Sequence, residues 1–402
     1  MKPGNPVFSS LGTTIFSVMS ALAEEHGAVN LGQGAPDGGG PDDVRQVAAQ
    51  RVIDGPHQYP PFRGIPELRA AVAAHDRRFY GLPVSPDNVL VTSGATEALM
   101  AAFLALLSPG DEAIVIDPSY DSYRPAIAAA HASVRAIRLA PPDWRLSREA
   151  LAAAFSPKTK LIVINTPMNP TGKVFSDDEL SLVAEFAARF DAYVICDEVY
   201  EHLVLDGRRH RPLMTFDGMA ARAIRIGSAG KTFSLTGWKV GYLTASTELI
   251  GLIAKAHQFL TFTTPPSLQH AVAYGLAKDD SYYHGLAADM ESRRDHLTAE
   301  LAAIGFAVLP CQGTYFLIAD YAPLGLHGAA DIIAKRLTID AGVATIPMTA
   351  FYAEPPADLS LLRFCFAKSE AALSEAGRRL RRYFVNRPAG KRAALDAAEA
   401  AT

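Results

Sequence analysis

Between about residues 88 and 245, short apolar and β-branched runs alternate with longer stretches of helical periodicity. The runs at 88–92, 113–117, 134–139, 161–165, 193–197, 223–226 and 240–244 predict strands. The stretches at 96–107, 121–130, 177–189 and 249–257 predict helices between them. Leu161-Ile-Val-Ile and Tyr193-Val-Ile-Cys are continuously apolar, the pattern of strands covered on both faces. Strands and helices in alternation predict an α/β architecture, a mainly parallel sheet between layers of helices. Ligands of such sheets gather beyond the carboxyl ends of the strands. That rule selects residues 93–96, 165–169, 197–200 and 228–231, and these are also the segments whose polar side chains look chemically useful.

From about residue 275 the pattern changes. A charged helical stretch at 282–304 precedes Tyr315-Phe-Leu-Ile-Ala, a further helix near 329–341, and the strand-like run Leu362-Arg-Phe-Cys-Phe. The chain therefore divides into a large domain at 46–274 and a smaller α+β domain at 275–385. An N-terminal segment, 1–45, is expected to join the smaller domain, and the Ala/Arg/Glu-rich tail at 386–402 is expected to be disordered. Two domains also suit 402 residues, a length beyond one simple core.

Composition mainly excludes. With 49% hydrophobic and 20% charged residues the chain reads as a globular protein, and no apolar stretch is long enough to span a bilayer. A formal charge of −4 argues against nucleic acid or anionic lipid as partner. Cys196, Cys311 and Cys365 sit in apolar runs without metal spacing and read as buried thiols of a cytoplasmic protein. The eleven histidines show no ligand-like pair, so no metal site is expected.

Lys231 carries the sharpest signal. It stands among small and hydroxylated residues in Ser228-Ala-Gly-Lys231-Thr-Phe-Ser, just past a predicted strand, where a flat cofactor can approach it. A lysine of this kind bonds covalently to an aldehyde, and the common biological aldehyde is pyridoxal 5'-phosphate. Asp197 ends a buried strand and could keep a pyridine nitrogen protonated, while Tyr200 could donate to a ring oxygen. The turn before the helix at 96–107 offers Ala95 and Thr96 to a phosphate, joined by Ser228 and Lys239. Tyr120 could stack on a ring. Asn169 lies in a loop fixed by Pro167 and Pro170. Arg363, alternating with Phe364 and Phe366, needs an anionic partner; a substrate carboxylate and a buried salt bridge fit it equally.

Taken together these segments closely resemble the fold-type-I, class I/II aminotransferases that depend on pyridoxal phosphate. The resemblance covers most of the chain: Asn30-Leu-Gly-Gln-Gly34, Gln58-Tyr59-Pro60, 93–96, Asn169-Pro-Thr-Gly172, Cys196-Asp-Glu-Val-Tyr200, 228–231 with Lys239, and Arg363 keep the family's order. Gly12-Thr-Thr-Ile-Phe16 and the 231–238 segment look most like the methionine, glutamine–phenylpyruvate and kynurenine branch. The resemblance implies that Lys231 bonds the cofactor and shuttles a proton, Asp197 pairs with the pyridine nitrogen, and Tyr200 and Asn169 hold the ring oxygen. It implies that Ala95, Thr96, Ser228 and Lys239 bind phosphate and that Tyr59 reaches the phosphate of a neighbouring subunit in a homodimer with shared sites. Arg363, Asn169 and the Gly34 backbone would grip the carboxylate, and Phe16 and Phe262 would line the side-chain pocket. The implied reaction is transamination between an amino acid with a neutral, bulky side chain and a 2-oxo acid. β- or γ-elimination on the same scaffold is the enzymatic alternative, and a cofactor-sensing binding module the remote one. The sequence departs from the branch at Ala35 and Gly38, where phenylalanines are usual, which predicts a loosened pocket wall.

Overall fold

The computed structural model describes residues 2–385; the tail proposed at 386–402 lies outside the described residues. Seven strands form the larger sheet: β1 (Val89–Thr92), β2 (Glu112–Asp117), β3 (Ser133–Arg138), β4 (Thr159–Asn165), β5 (Tyr193–Asp197), β6 (Ala223–Ser228) and β7 (Gly241–Thr244). Their order is β1-β7-β6-β5-β4-β2-β3, and only β7 runs antiparallel to its neighbours. The apolar runs at 161–164 and 193–196 are central β4 and β5, whose residues are almost all buried. Edge strand β3 is mostly exposed, as its arginines require.

The second sheet is antiparallel, ordered β10-β11-β9-β8, with β8 (Ala307–Val308), β9 (Phe316–Asp320), β10 (Ile346–Pro347) and β11 (Leu361–Cys365). The N-terminal pair Val29–Asn30 runs parallel to Val343–Ala344, which ties the start of the chain to this half. The helix Asp280–Ile304 packs on Glu370–Val385. Among the described residues no helix is long and apolar enough to cross a membrane.

Several helix boundaries differ from the pattern. The helix expected from 121 begins at Tyr123, leaving Tyr120 and Asp121 in the preceding turn. The one at 249–257 spans Thr247–Leu260, because Ser246 accepts a hydrogen bond from Leu249 N–H and caps it earlier. The single helix expected at 329–341 is an α-helix, Ala330–Arg336, followed by a wider π-helical turn, Leu337–Ala341.

Behind the larger sheet lies a buried ionic cluster that the sequence did not announce. Arg225 of β6 donates to Asp76 at 2.8 Å, to Glu198 at 2.7 Å, and to Glu201. Asp76 comes from the helix Pro66–Tyr80 and also accepts from Thr244 of β7 at 2.7 Å, so the cluster fastens that helix to two strands. His75 and His202 share a 2.7 Å N–H···N bond, and their ring nitrogens and a Glu201 oxygen all lie within 4.8 Å. The expectation of no ligand-like histidine pair fails here, because these two residues are 127 positions apart. Glu201 already answers Arg225 and Tyr80, so the trio belongs to the buried charge network, in which His75 Nδ1 and Glu198 Oε1 are left without a hydrogen-bond partner.

Burial pushes the His202 imidazole down to about 3, so it is neutral in the fold. In the unfolded chain it takes a proton below its ordinary pKa of about 6.5. The unfolded state then binds more protons between pH 6.5 and 3, and stability falls as pH drops through that window. Glu201 acts in the same direction. Burial alone would raise it, but Arg225 and the histidines hold it well below the usual carboxylate range. The thermal midpoint is expected to fall between pH 6.5 and 4.5 at a rate set by about 1.4 kcal/mol per pH unit for the His202 proton, with Glu201 adding to the slope only below its ordinary value of 4.5. His202→Asn should flatten the slope; an unchanged slope would remove His202 from the acid response.

Candidate active site

At the carboxyl ends of β4, β5 and β6 a cavity of about 360 Å³ opens toward the second sheet. Twelve of the fourteen side chains or backbones singled out in the sequence line it. From the larger sheet and its loops come Ala95, Thr96, Tyr120, Asn169, Asp197, Tyr200, Ser228, Lys231 and Lys239; Phe16, Gly34 and Arg363 close the other side. Tyr59 and Phe262 are not among them. They meet each other edge to face, with centroids 5.4 Å apart, outside this chain's cavity. Phe262 follows the helix that ends at Leu260, has φ 68°, and does not line this chain's cavity. Ala35 and Gly38 are not among the residues that line this chain's cavity either. The Ala35 carbonyl is taken by Lys368 Nζ at 2.7 Å, and a Cβ at Gly38 would meet open space.

Small residues shape the end where Lys239 enters. Gly94, at φ 80°, begins the helix Ala95–Leu106, and a Cβ on it would stand 3.3 Å from Lys239 Nζ. On β7, a Cβ at Gly241 would lie 2.5 Å from the Gly94 carbonyl carbon, so that strand can pass only as glycine. The result is a helix start with free amides, a lysine beside it, and Thr96 and Ser228 on the rim.

Asp197 is buried at the end of β5, where its carboxylate accepts from Tyr123 O–H at 2.6 Å and from Val199 N–H at 3.4 Å. Burial pushes its carboxyl up, against those two donors. A buried carboxylate in this condition gains from any cation placed against it. The loop below β4 is braced by Asn165, whose amide donates to the Asp197 carbonyl at 2.8 Å and accepts from Asn169 N–H at 2.7 Å. Lys231 is half-buried, and its amine donates to Tyr315 O–H at 2.9 Å.

The two fully buried arginines make an instructive contrast. Arg225 has three carboxylates around it, whereas Arg363 forms no ion pair among the described residues. Arg363 donates only to neutral oxygens, Asn169 Oδ1 at 2.9 Å and the Gly32 carbonyl at 2.8 Å, and its Nε has no partner. Its guanidinium lies 3.9 Å from the Phe316 ring centroid, with Phe351 and Phe16 at 4.9 and 5.2 Å. Burial pushes it down to about 10, so at neutral pH it remains a cation without an anion.

Sequence reasoning missed Tyr123, Tyr315 and Asp121. Tyr123 stands one helical turn past Tyr120, a spacing that could have suggested it. Asp121 lines the cavity beside Arg363 without pairing to it, and burial pushes its carboxyl up.

An aldehyde-reactive amine, an anion cradle, a buried carboxylate and an unpaired arginine in one cavity define a cofactor-dependent enzyme acting on carboxylates. The chain belongs to the class I and II aminotransferases, whose family model matches residues 26–380. It is 46% identical over 379 residues to a probable N-succinyldiaminopimelate aminotransferase of Mycobacterium tuberculosis, covering 92% of this chain and 95% of the relative. To kynurenine–oxoglutarate transaminase 1 of mouse the identity is 38%, over 89% and 92% of the two chains. The structure of an Escherichia coli methionine aminotransferase superposes with a TM-score of 0.92 at 40% identity, covering 95% of this chain and all of that one. The protein is thus a fold-type-I aminotransferase dependent on pyridoxal phosphate. Its residues fit that group: Lys231 for the aldehyde, Asp197 for the ring nitrogen, and the Gly94 turn with Lys239 for the phosphate.

Proposed function

We propose that this aminotransferase moves the amino group of an amino acid with a neutral, bulky side chain to a 2-oxo acid. The observation that carries the substrate end is Arg363. A buried cation costs several kcal/mol unless paired, and this one is held by neutral oxygens in a cavity reached from solvent, so it serves as receptor for the α-carboxylate. With Asn169 Oδ1 engaged by Arg363, the Asn169 amide N–H groups remain as donors to the carboxylate or to a ring oxygen. Gly34 supplies backbone beside them. The bound cofactor contributes an aldehyde that takes up the amino group and a ring that accepts electron density. Around it Lys231 moves the proton from the substrate α-carbon, Asp197 keeps a proton on the ring nitrogen, and Tyr200 and Tyr120 fix the ring. Ala95, Thr96, Ser228 and Lys239 hold the phosphate.

Charge decides the side-chain class. Lys231, Lys239 and Arg363 are the cations lining the cavity, and each has a partner in this scheme. Asp121 is left over, a carboxylate that lines the same cavity beside Arg363. A substrate bearing a second carboxylate would find no further cation among the residues lining the cavity. The names of the mouse and Escherichia coli relatives, with kynurenine and methionine, agree with a neutral side chain. The experiment is a panel of donors scored by conversion of bound cofactor to its amine form: methionine, glutamine, phenylalanine, kynurenine, aspartate, glutamate and N-succinyldiaminopimelate. Methionine or an aromatic donor is expected to outpace aspartate at least tenfold, and Asp121→Asn should narrow that gap. Faster conversion by aspartate or the succinylated acid would overturn the assignment.

Tyr59 is 83% exposed, Phe259 87% and Ile53 73%, with Phe262 and Leu260 exposed nearby in sequence. Large apolar side chains in that condition suit a buried contact. A homodimer that brings Tyr59 and Phe262 to the partner's cavity accounts for them. Residues 46–274 would form the cofactor-binding domain, with 1–45 and 275–385 as the smaller one. The described cysteines are free and buried, in keeping with the cytoplasm.

A further inference from the structure

We propose that Tyr315 is a positioning residue for Lys231, fixing which way the lysine amine presents its lone pair during proton transfer. The inference rests on the transamination reading above. The geometry is a short relay: Lys231 Nζ donates to the Tyr315 hydroxyl at 2.9 Å, and that hydroxyl donates to the Gly34 carbonyl at 2.9 Å. A phenol has one proton and a carbonyl has none to give, so the direction of the relay is fixed. With its proton committed to Gly34, the Tyr315 oxygen can act toward Lys231 only as an acceptor. It therefore takes an N–H and leaves the lone pair of the neutral amine free. A hydroxyl donating to Lys231 would occupy that lone pair and block the base.

Three features hold the polarity in place. Burial pushes the Tyr315 phenol well above its ordinary value, so the proton that Gly34 accepts is kept. The ring is wedged edge-on against Tyr200 at 5.2 Å and Phe316 at 4.7 Å, which leaves the hydroxyl little freedom to swing. Gly34 sits so close to the start of β9 that a Cβ on it would come within 2.7 Å of Phe316, so its carbonyl is pinned where Tyr315 can reach it. Lys231 Nζ lies 5.5 Å from the Tyr315 ring centroid, at the hydroxyl edge of that ring, and 5.6 Å from that of Tyr200. One residue thus joins the lysine to the Gly34 segment beside the carboxylate receptor. A substrate seated at Arg363 meets an amine already oriented.

Tyr315→Phe keeps the ring packing and removes only the hydroxyl. The rate of cofactor conversion by a good neutral donor is expected to fall tenfold or more. The isotope effect of a donor deuterated at the α-carbon should rise, because proton transfer becomes the slower step. Binding of 3-phenylpropanoate, a carboxylate without an amine, should stay within twofold. In cofactor-free protein, Lys231 should be acylated by an amine-selective reagent at least twofold faster relative to the exposed Lys255. An unchanged isotope effect and rate in the variant would sink the role of Tyr315. So would a rate loss matched by an equal loss of 3-phenylpropanoate binding, which would make the residue wall packing. A wild-type protein whose bound cofactor is converted by no amino acid of the donor panel would sink the transamination reading itself.

Discussion

Lys231→Ala is expected to abolish covalent attachment of the cofactor and to lower turnover by at least about 10⁴-fold, the upper range for removal of a positioned acid–base group. On the proposed reading two losses would coincide in one side chain: the amine that bonds the aldehyde, and the amine that carries the proton from the α-carbon. Folding should hardly notice. Lys231 is half-buried, its single hydrogen bond goes to Tyr315, and its removal leaves no buried carboxylate without a partner. Changes of that kind usually stay within about 1 kcal/mol. Lys239, Thr96 and Asp197 remain, so the variant should still take up pyridoxal phosphate reversibly, without the absorption of the lysine-linked form. The measurement is that absorption together with single-turnover conversion by methionine. A variant that keeps both would remove Lys231 from the chemistry.

How much of this was legible beforehand depended on the distance over which each signal acts. Central strands such as β4 and β5 announce themselves, because a strand buried on both faces must be apolar throughout. Their carboxyl ends then located Asn165, Asp197 and Lys231 without further information. The helix Pro66–Tyr80 was harder. Its buried side includes His75 and Asp76 beside Leu68 and Val72, and it is stable there only because Arg225, 149 residues away from Asp76, supplies the charge. The Arg363–Asn169 contact spans 194 positions and Lys231–Tyr315 spans 84, so neither leaves a spacing to read. The sequence placed Arg363 between two equal readings; the absence of an ion pair to it among the described residues, against three to Arg225, favours the carboxylate receptor. Tyr59 and Phe262 show the opposite limit. Resemblance could assign them to a pocket, but one chain alone places them outside its own cavity, which directs the question to the assembly.

Asp197→Ala is the second large effect, and its value lies in separating chemistry from folding. On the proposed reading Asp197 would hold the proton on the ring nitrogen of the bound cofactor while Lys231 takes the α-proton. Loss of a preorganised charge at such a point costs about 10²–10³-fold in rate. The cofactor should remain attached, since Lys231 and the phosphate contacts are untouched. Stability is a different matter. In the cofactor-free protein Asp197 is a carboxylate that burial disfavours, so removing its charge relieves a cost. What the variant does lose is the partner of the Tyr123 hydroxyl, and a buried O–H left unpaired costs about 1–3 kcal/mol. The double variant Asp197→Ala with Tyr123→Phe removes that orphaned group as well. It should recover most of the thermal midpoint while remaining as slow as the single variant. Recovery of activity along with the midpoint would mean that Asp197 matters as a structural acceptor for Tyr123 and has no role at the ring nitrogen.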